Sequence, residues 1–285
     1  MEKKYYHEYE DYEDGKTAET MVGEILADPE FQNIDKLIIG DWGGAYEDSC
    51  QAVLDAIADN ADKFSHITSL FVGDMDYEEC EISWIIQGDY SRIWKAMPQL
   101  KEITVKGSTD LKLGKIKHSN LESLTIICGG LGSDVIKEIE EAELPELKKL
   151  LVYIGSENYG FDGDADTVRS LLANSDFPKL EYLGIADSEI QDELTAVVLD
   201  CKYIDSITTL DLSCGTITDK GGELLLKKLP ELKNLKKLDL SYNYLSDEMK
   251  DKLTAAAPAV EMDLSDSQEA DEWDGELWYN AMVTE

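Results

Sequence analysis

A three-anchor apolar motif recurs nine times along this chain of 285 residues, and no other feature constrains its fold as strongly. In the clearest copy, Leu235, Leu238 and Leu240 occupy the first, fourth and sixth positions. The middle anchors of the nine copies are Leu37, Leu70, Ile103, Leu124, Leu150, Leu183, Leu210, Leu238 and Met262. Their spacing averages about 28 residues, which is typical of stacked repeats with one strand and one helix per unit.

The spacing inside the motif predicts a strand, and the segments between copies predict helices. The fourth and sixth positions lie two residues apart, so their side chains share one face of a strand. Apolar residues recur with helical spacing in the segments 48–60, 164–174, 220–229 and 247–257. A single strand–helix unit cannot bury its own apolar face, so the units must stack. We therefore predict parallel strands inside a curve and helices outside it.

The repeat pattern resembles the leucine-rich-repeat proteins of the ribonuclease-inhibitor-like type over about residues 34–266. The segment 73–85, which contains YEECEISWI, and the segment 38–43 are similar to an uncharacterised family of bacterial cytosolic repeat proteins. The resemblance implies an α/β leucine-rich-repeat solenoid, a right-handed β-α superhelix shaped as a horseshoe arc. Parallel strands would line its concave face and helices its convex face. It also implies an accessory role in a biosynthetic operon that encodes radical-SAM and ATP-grasp enzymes.

Both ends of the repeat array need a cap, because a terminal repeat would otherwise expose apolar core. We predict an N-terminal cap at 1–33 with an amphipathic helix at 16–28, followed by nine repeats at 34–266. The remaining segment, 267–285, is an acidic C-terminal cap or tail. From residue 261 onward there are nine acids and no base, with Trp273, Trp278 and Tyr279 among them. These aromatics either cover the last repeat or bind a partner.

The charge of the chain excludes several classes of partner. With 61 acidic and 26 basic side chains, the formal net charge is −35. Phosphate backbones and anionic membranes are bound through Lys and Arg, so neither nucleic acid nor membrane is expected as a partner. The first residues are charged and no apolar stretch of membrane length occurs, so we expect a cytoplasmic protein. Self-repulsion favours a monomer, and five widely spaced cysteines without a CxxC pair indicate reduced thiols.

No catalytic motif is recognisable, so we expect a protein that is not an enzyme and holds no cofactor or metal. The alternating acids at 162–166 resemble the start of a calcium loop, but Thr167 and Ala173 stand where that loop needs Gly and Glu. We expect Asp164 or Asp166 to cap the following helix instead. The three histidines, predicted to lie at the surface or in caps, are His7, His66 and His118. An enzyme or enzyme subunit with a carboxylate or loop metal site remains the alternative.

Aligning the repeats predicts which side chains face the concavity and bind a partner. These residues are Ile38, Phe71, Ile127, Leu151, Tyr153, Tyr182, Asp211, Lys237, Asp239 and Asp263. The first six form an apolar and aromatic patch, and the three aspartates form a ladder that Lys237 is expected to relieve. This surface suits a protein or peptide with a basic or amphipathic surface. Alternatively, the aspartates recur only because the repeat fold requires them.

An acid-rich segment lengthens the second repeat after its strand and is the second predicted binding element. Its candidate residues are Asp74, Asp76, Glu78, Glu79 and Trp84. Loops on one edge of a rigid scaffold often carry function. Simple packing of Trp84 against the core is the alternative explanation.

Overall fold

The computed structural model describes residues 1–283, and the side chains of all of these except Tyr9 and Trp273. Within this range ten parallel strands form one sheet, in the order in which they occur along the chain. The strands are β1 (Glu2–Tyr5), β2 (Lys36–Ile39), β3 (Ser69–Val72), β4 (Glu102–Lys106), β5 (Ser123–Ile127), β6 (Lys149–Gly155), β7 (Tyr182–Ser188), β8 (Thr209–Asp211), β9 (Lys237–Asp239) and β10 (Glu261–Asp263). A separate antiparallel hairpin follows, with β11 (Asp271–Trp273) and β12 (Glu276–Trp278).

Helices connect most of the strands. They are α1 (Tyr9–Glu13), α2 (Ala18–Ala27), α3 (Gln51–Asp59), α4 (Ile93–Ala96), α5 (Ser133–Glu140), α6 (Ala165–Asn174), α7 (Gln191–Leu199), α8 (Asp219–Lys228) and α9 (Asp247–Ala256). The apolar faces of α2 to α9 and the anchors of the strands form one continuous buried core. Since parallel strands joined by a helix cross over with a right-handed turn, the stack is a right-handed solenoid. The strands line its concave side and the helices its convex side.

The register confirms all nine predicted strands. Leu37 pairs with Leu70, and the same row continues without a slip through Ile103, Leu124 and the later middle anchors to Met262. The anchors are fully buried along most of this row. A slip of one residue would turn the buried face to solvent, which is why the apolar pattern fixes the register.

The structure differs from the predicted organisation near the N-terminus. Before α2 the chain adds β1, a strand that the sequence did not predict, and Lys4 of this strand pairs with Ile38.

In the described chain α4 is the one α-helix between β3 and β4, and it has only four residues, while β4 and β5 are joined without any α-helix. The short interval of 21 residues between Ile103 and Leu124 leaves no room for one.

Side-chain oxygens cap the starts of α6, α8 and α9. Ser246 accepts the Met249 N–H at the start of α9. Asp164, one of the two residues predicted to cap α6, accepts the Thr167 N–H. Thr218 accepts the Lys220 N–H at the start of α8, and the corresponding residue before α5 is Gly132. A side-chain oxygen at this position satisfies a backbone N–H that the helix cannot.

A sharp turn follows several strands at the same position of the repeat. Asp187, Cys214, Tyr242 and Asp266 each stand two residues after the third anchor, and all have φ between 53° and 63°. A side chain in this left-handed conformation costs about 1 kcal/mol. The turn directs the chain from the sheet toward the convex side. We call the C-terminal ends of the strands, together with these turns, the strand-exit rim.

None of the helices within residues 1–283 has the length and apolar character needed to cross a membrane.

Candidate functional site

The concave face is built from three adjacent rows of the sheet. The register places Ile38, Phe71, Leu151, Asp211, Asp239 and Asp263 in one row. Ile127 and Tyr153 lie in the neighbouring row on the strand-exit side, and Tyr182 and Lys237 lie in the neighbouring row on the other side. The register therefore brings the ten residues into three neighbouring rows of one sheet.

An aromatic patch occupies the middle of the concave face. The Tyr182 hydroxyl donates a hydrogen bond of 2.5 Å to Asp211 Oδ2, and the Lys149 ammonium lies 4.6 Å from the Tyr182 ring centroid. Tyr153 and Tyr182 are both partly exposed. Because these contacts fix the Tyr182 ring, it offers contact area to a partner with little loss of entropy on binding, as the residues of binding hot spots do.

Two predicted contact residues are buried and cannot offer their side chains to a partner. Leu151 is 7% exposed and Asp211 is 5% exposed. Leu151 lies over Gly184, where a Cβ would come within 2.2 Å of Leu151 Cδ1. Asp211 is enclosed because it accepts hydrogen bonds from Tyr182 and from the hydroxyl of Ser213. Both residues support the aromatic patch from below, which corrects the predicted direct contact.

The aspartate ladder has a structural cause. Asp211, Asp239 and Asp263 each accept a hydrogen bond from the N–H and from the hydroxyl of the serine two residues later. This local bonding shapes the chain at the strand end, so the repeat fold alone explains why the residues recur. Lys237 does not relieve the ladder as predicted, because its ammonium lies 2.9 Å from Glu261 instead.

The ladder still gives this end of the concave face a negative potential. Burial raises the pKa of Asp239, and the neighbouring carboxylates of Asp211 and Asp263 raise it further. Asp263 is exposed, and hydrogen bonds from Ser265 lower its pKa. The exposed end of the ladder therefore carries charge at neutral pH and attracts cationic groups.

The thiol of Cys214, beside this patch, is unsuited to nucleophilic chemistry. Burial raises the pKa of Cys214 to about 11, and the Cys214 side chain hydrogen-bonds with Tyr153. A thiol attacks as the thiolate, so at neutral pH Cys214 remains in its unreactive form.

The predicted binding loop is held in shape by its own acids. Asp76 Oδ1 accepts the N–H groups of Glu78 and Glu79 at 3.0 Å. The Lys4 ammonium of β1 lies 3.5 Å from both Asp74 Oδ2 and Glu79 Oε2, so the strand that the sequence missed supports this loop. These pairs leave the loop acidic at its surface.

Trp84 is 60% exposed, so it does not pack into the core. Tyr77 is 68% and Tyr46 45% exposed beside it. A cavity of about 350 Å³ is lined by Tyr46, Tyr77, Glu78, Glu79, Cys80, Glu81 and Trp84. We call this group the aromatic–acidic loop patch. Sequence reasoning missed the two tyrosines because neither lies in the repeat motif.

The acids of the segment that resembles a calcium loop, and two of the histidines, have structural roles. Asp162 Oδ1 accepts the Ser133 N–H at 2.7 Å, which links two repeats, and Asp164 caps α6. His7 and His118 are 4% and 3% exposed, so neither lies at the surface; His7 lies within the predicted N-terminal cap segment 1–33, whereas the prediction of a surface or cap position is wrong for His118. His118 bonds to the Met97 carbonyl oxygen at 3.0 Å and accepts the Asn120 N–H.

The last described residues lie against the repeats. Tyr279 packs edge-on against Tyr244, with ring centroids 5.0 Å apart, and the chain then continues along the strand-exit rim as far as Asp187. Trp278 is 55% exposed, so it does not cover the last repeat. The segment after the hairpin therefore packs along the strand-exit rim of earlier repeats. Neither a cap over the last repeat nor a tail that binds a partner predicts this contact.

Comparison with known proteins places the chain in a family. A family model described as "Leucine Rich repeat" matches residues 206–226 and 231–248, and no curated protein matches the chain. The crystal structure of a Bacteroides fragilis protein, a structural-genomics target, is 42% identical with a TM-score of 0.88, covering 94% of this chain and 75% of that one.

Two more distant solved structures match with much lower similarity. An internalin from Listeria monocytogenes is 14% identical with a TM-score of 0.35, covering 87% of this chain and 71% of that one. A complex of TLR13 with ssRNA13 is 14% identical with a TM-score of 0.40, covering 92% and 36%. Sequence identity and coverage with the Bacteroides fragilis protein, together with the motif and the register, show that the chain belongs to the leucine-rich-repeat family.

Proposed function

We propose that the chain is a non-catalytic cytoplasmic scaffold that binds a protein or peptide on its concave face. The observation that supports this most directly is the pair of partly exposed rings Tyr153 and Tyr182 beside the aspartate ladder, with the partly exposed Phe71 on the same face of the sheet at β3. Apolar anchors next to negative charge suit a basic or amphipathic polypeptide. The chain acts as a monomer of the ribonuclease-inhibitor-like type, accessory to a biosynthetic operon.

The aromatic–acidic loop patch extends this surface at the N-terminal end of the arc. It combines Tyr77 and Trp84 with the carboxylates of Glu78 and Glu79, and a cationic side chain is attracted both by aromatic faces and by carboxylates. A partner long enough to follow the arc would contact this patch and the aspartate ladder together. Two linked contacts bind more tightly than either contact alone.

Capture of bacterial proteins on the immobilised chain tests the proposal. Phe71→Ala and Tyr153→Ala should each weaken capture of the same partner about tenfold, which corresponds to a lost hot-spot contact. Asp239→Lys should reduce capture mainly at low salt, because it reverses the steering charge. Glu223→Ala at an exposed position of convex α8 serves as the control.

Each variant must melt at a temperature near that of the unmodified chain, so that a loss of capture reports on contact and not on folding. Equal capture by all three concave variants and the control would eliminate the concave face as the binding surface.

A further inference from the structure

An extended segment of the chain itself occupies the strand-exit rim of β7–β9. We call residues 279–283 the C-terminal strap. The Tyr244 hydroxyl bonds to both the N–H and the carbonyl oxygen of Asn280 at 3.0 Å. Next, the Met282 N–H donates to the Cys214 carbonyl oxygen at 2.8 Å. Finally, the Val283 N–H donates to Asp187 Oδ1 at 2.7 Å.

The strap is held by its main chain more than by its side chains. Ala281 is buried but small, Met282 is 50% exposed, and the partly buried Val283 packs against the core. The N–H groups of Asn280, Met282 and Val283 bond to acceptors on neighbouring repeats, which are the Tyr244 hydroxyl, the Cys214 carbonyl oxygen and the Asp187 carboxylate. A peptide strand added to a sheet edge is likewise bound through its main chain. The rim can therefore hold an extended peptide of another sequence.

The strap leaves one strong acceptor without a donor. Asp187 is fully buried, and its Oδ2 atom accepts no hydrogen bond from the described residues. Burying a carboxylate without a donor or a cation is costly. Residues 279–283 contain no Lys or Arg that would satisfy it. The rim is thus better matched to a basic segment than to the segment that occupies it.

The same rim adjoins the concave patch. Cys214 binds the strap through its carbonyl oxygen and contacts Tyr153 through its thiol. A polypeptide on the concave face that continued over this edge would enter the position of the strap.

We propose that the strand-exit rim of β7–β9 is a docking groove for an extended basic peptide, and that the C-terminal strap occupies the groove until such a peptide displaces it. The main chain of the peptide donates to the Cys214 carbonyl oxygen, and its Lys or Arg pairs with Asp187. This inference rests on the proposed function, since it describes how a basic partner bound to the concave face also binds along the strand-exit rim.

The test uses the full chain and a fluorescein-labelled decapeptide of alternating Lys and Leu, which favours an extended conformation. Fluorescence anisotropy measures its affinity, and amide hydrogen exchange measures protection of Met282 and Val283. Saturating peptide should accelerate exchange of both amides at least tenfold. The matched decapeptide of alternating Glu and Leu should leave exchange unchanged.

Two variants separate groove binding from diffuse attraction. At pH 8, where the Asp187 carboxyl has lost its proton, Asp187→Asn should weaken binding of the basic decapeptide about tenfold, because it removes the paired charge. The control Asp205→Asn removes an equal charge from an exposed residue that precedes β8, at the opposite end of the strand, and should change affinity less than twofold. Tyr244→Phe removes the anchor of Asn280 without altering the carboxylate, so it should speed exchange of the strap and strengthen peptide binding severalfold.

Three results would overturn the inference. They are peptide binding that leaves strap exchange unchanged, equal affinities for the Asp187→Asn and Asp205→Asn chains, and a Tyr244→Phe chain whose strap exchanges faster but which binds no tighter. The proposed function stands or falls separately. If Phe71→Ala weakens capture of the partner but the decapeptide does not displace the strap, the concave-face proposal survives and the groove is ruled out. If the decapeptide displaces the strap but Phe71→Ala leaves capture of the partner unchanged, the groove survives and the concave-face proposal is ruled out.

Discussion

Replacing Asp187 with Asn should change the stability of the chain in opposite directions at low and high pH. Burial raises the pKa of the Asp187 carboxyl from 3.8 to about 7, and Glu189 adds to the rise. The N–H groups of Val283 and Met282 offset part of this shift. Between these two pH values the folded chain holds a proton that the unfolded chain has lost, so stability falls as pH rises.

The size of the effect follows from the pKa difference. At about 1.4 kcal/mol per pH unit, ionising Asp187 in the fold costs up to about 4 kcal/mol above pH 7. Asn does not ionise and therefore avoids this cost. Its amide N–H groups stand where Oδ2 has no hydrogen-bond partner, and burying them unpaired lowers the free energy of unfolding by about 1–3 kcal/mol. The variant should therefore be less stable than the unmodified chain near pH 4 and more stable near pH 8.

Urea unfolding followed by circular dichroism at pH 4, 5, 6, 7 and 8 measures this difference. Relative to the variant, the unmodified chain should lose about 2 kcal/mol between pH 5 and pH 7. Titration of other groups cancels, because both chains contain them. The exposed control Asp205→Asn should show no such trend. A stability difference for Asp187→Asn that stays constant across these pH values would refute the reasoning.

Three further predictions concern the fold. Asn243→Ala should lower the free energy of unfolding by about 3 kcal/mol in urea, because the buried amide binds the Ile217 N–H and the carbonyl oxygens at the strand ends; a loss below about 1 kcal/mol would contradict this role. Gly155→Ala should lower the free energy of unfolding by at least about 3 kcal/mol, since its Cβ would lie 1.8 Å from a backbone oxygen. Gly15→Ala, also at positive φ but in open space, should lower it by about 1 kcal/mol. Equal losses would contradict the steric argument. Burial raises the pKa of Cys128 to about 12, so iodoacetamide at pH 8 should modify it in urea and spare it in the native chain, as peptide mass spectrometry would show.

The sheet could be predicted from the sequence because its signal is local and repeated. Each anchor pair spaced by two residues fixes which face is buried, and stacking copies then fixes the register from Leu37 to Met262. Strand β1 lacked this signal, since Glu2–Tyr5 contains no Leu, Ile or Val anchor and pairs with one neighbour only, at the sheet edge. Edge strands are specified weakly by sequence for this reason.

The site could be predicted only as far as the direction of each side chain. Its exposure depends on neighbours in other repeats, as at Leu151, which is buried because Gly184 opposite it has no side chain. The hydroxyl of Tyr182 encloses Asp211 across 29 residues of sequence. The bond from Val283 to Asp187 spans 96 residues, and no periodic pattern signals such a contact. Repetition predicts the scaffold, whereas the contacts that distinguish the repeats arise from individual side chains.

Hydroxyl-radical footprinting of the chain with its captured partner tests the concave-face proposal most directly. Oxidation of Phe71, Tyr153 and Tyr182 should fall severalfold in the complex, because the partner would cover these partly exposed rings. Oxidation of Leu224 on convex α8 should stay the same. Protection at Leu224 with the three rings still oxidised as in the free chain would contradict binding at the concave face.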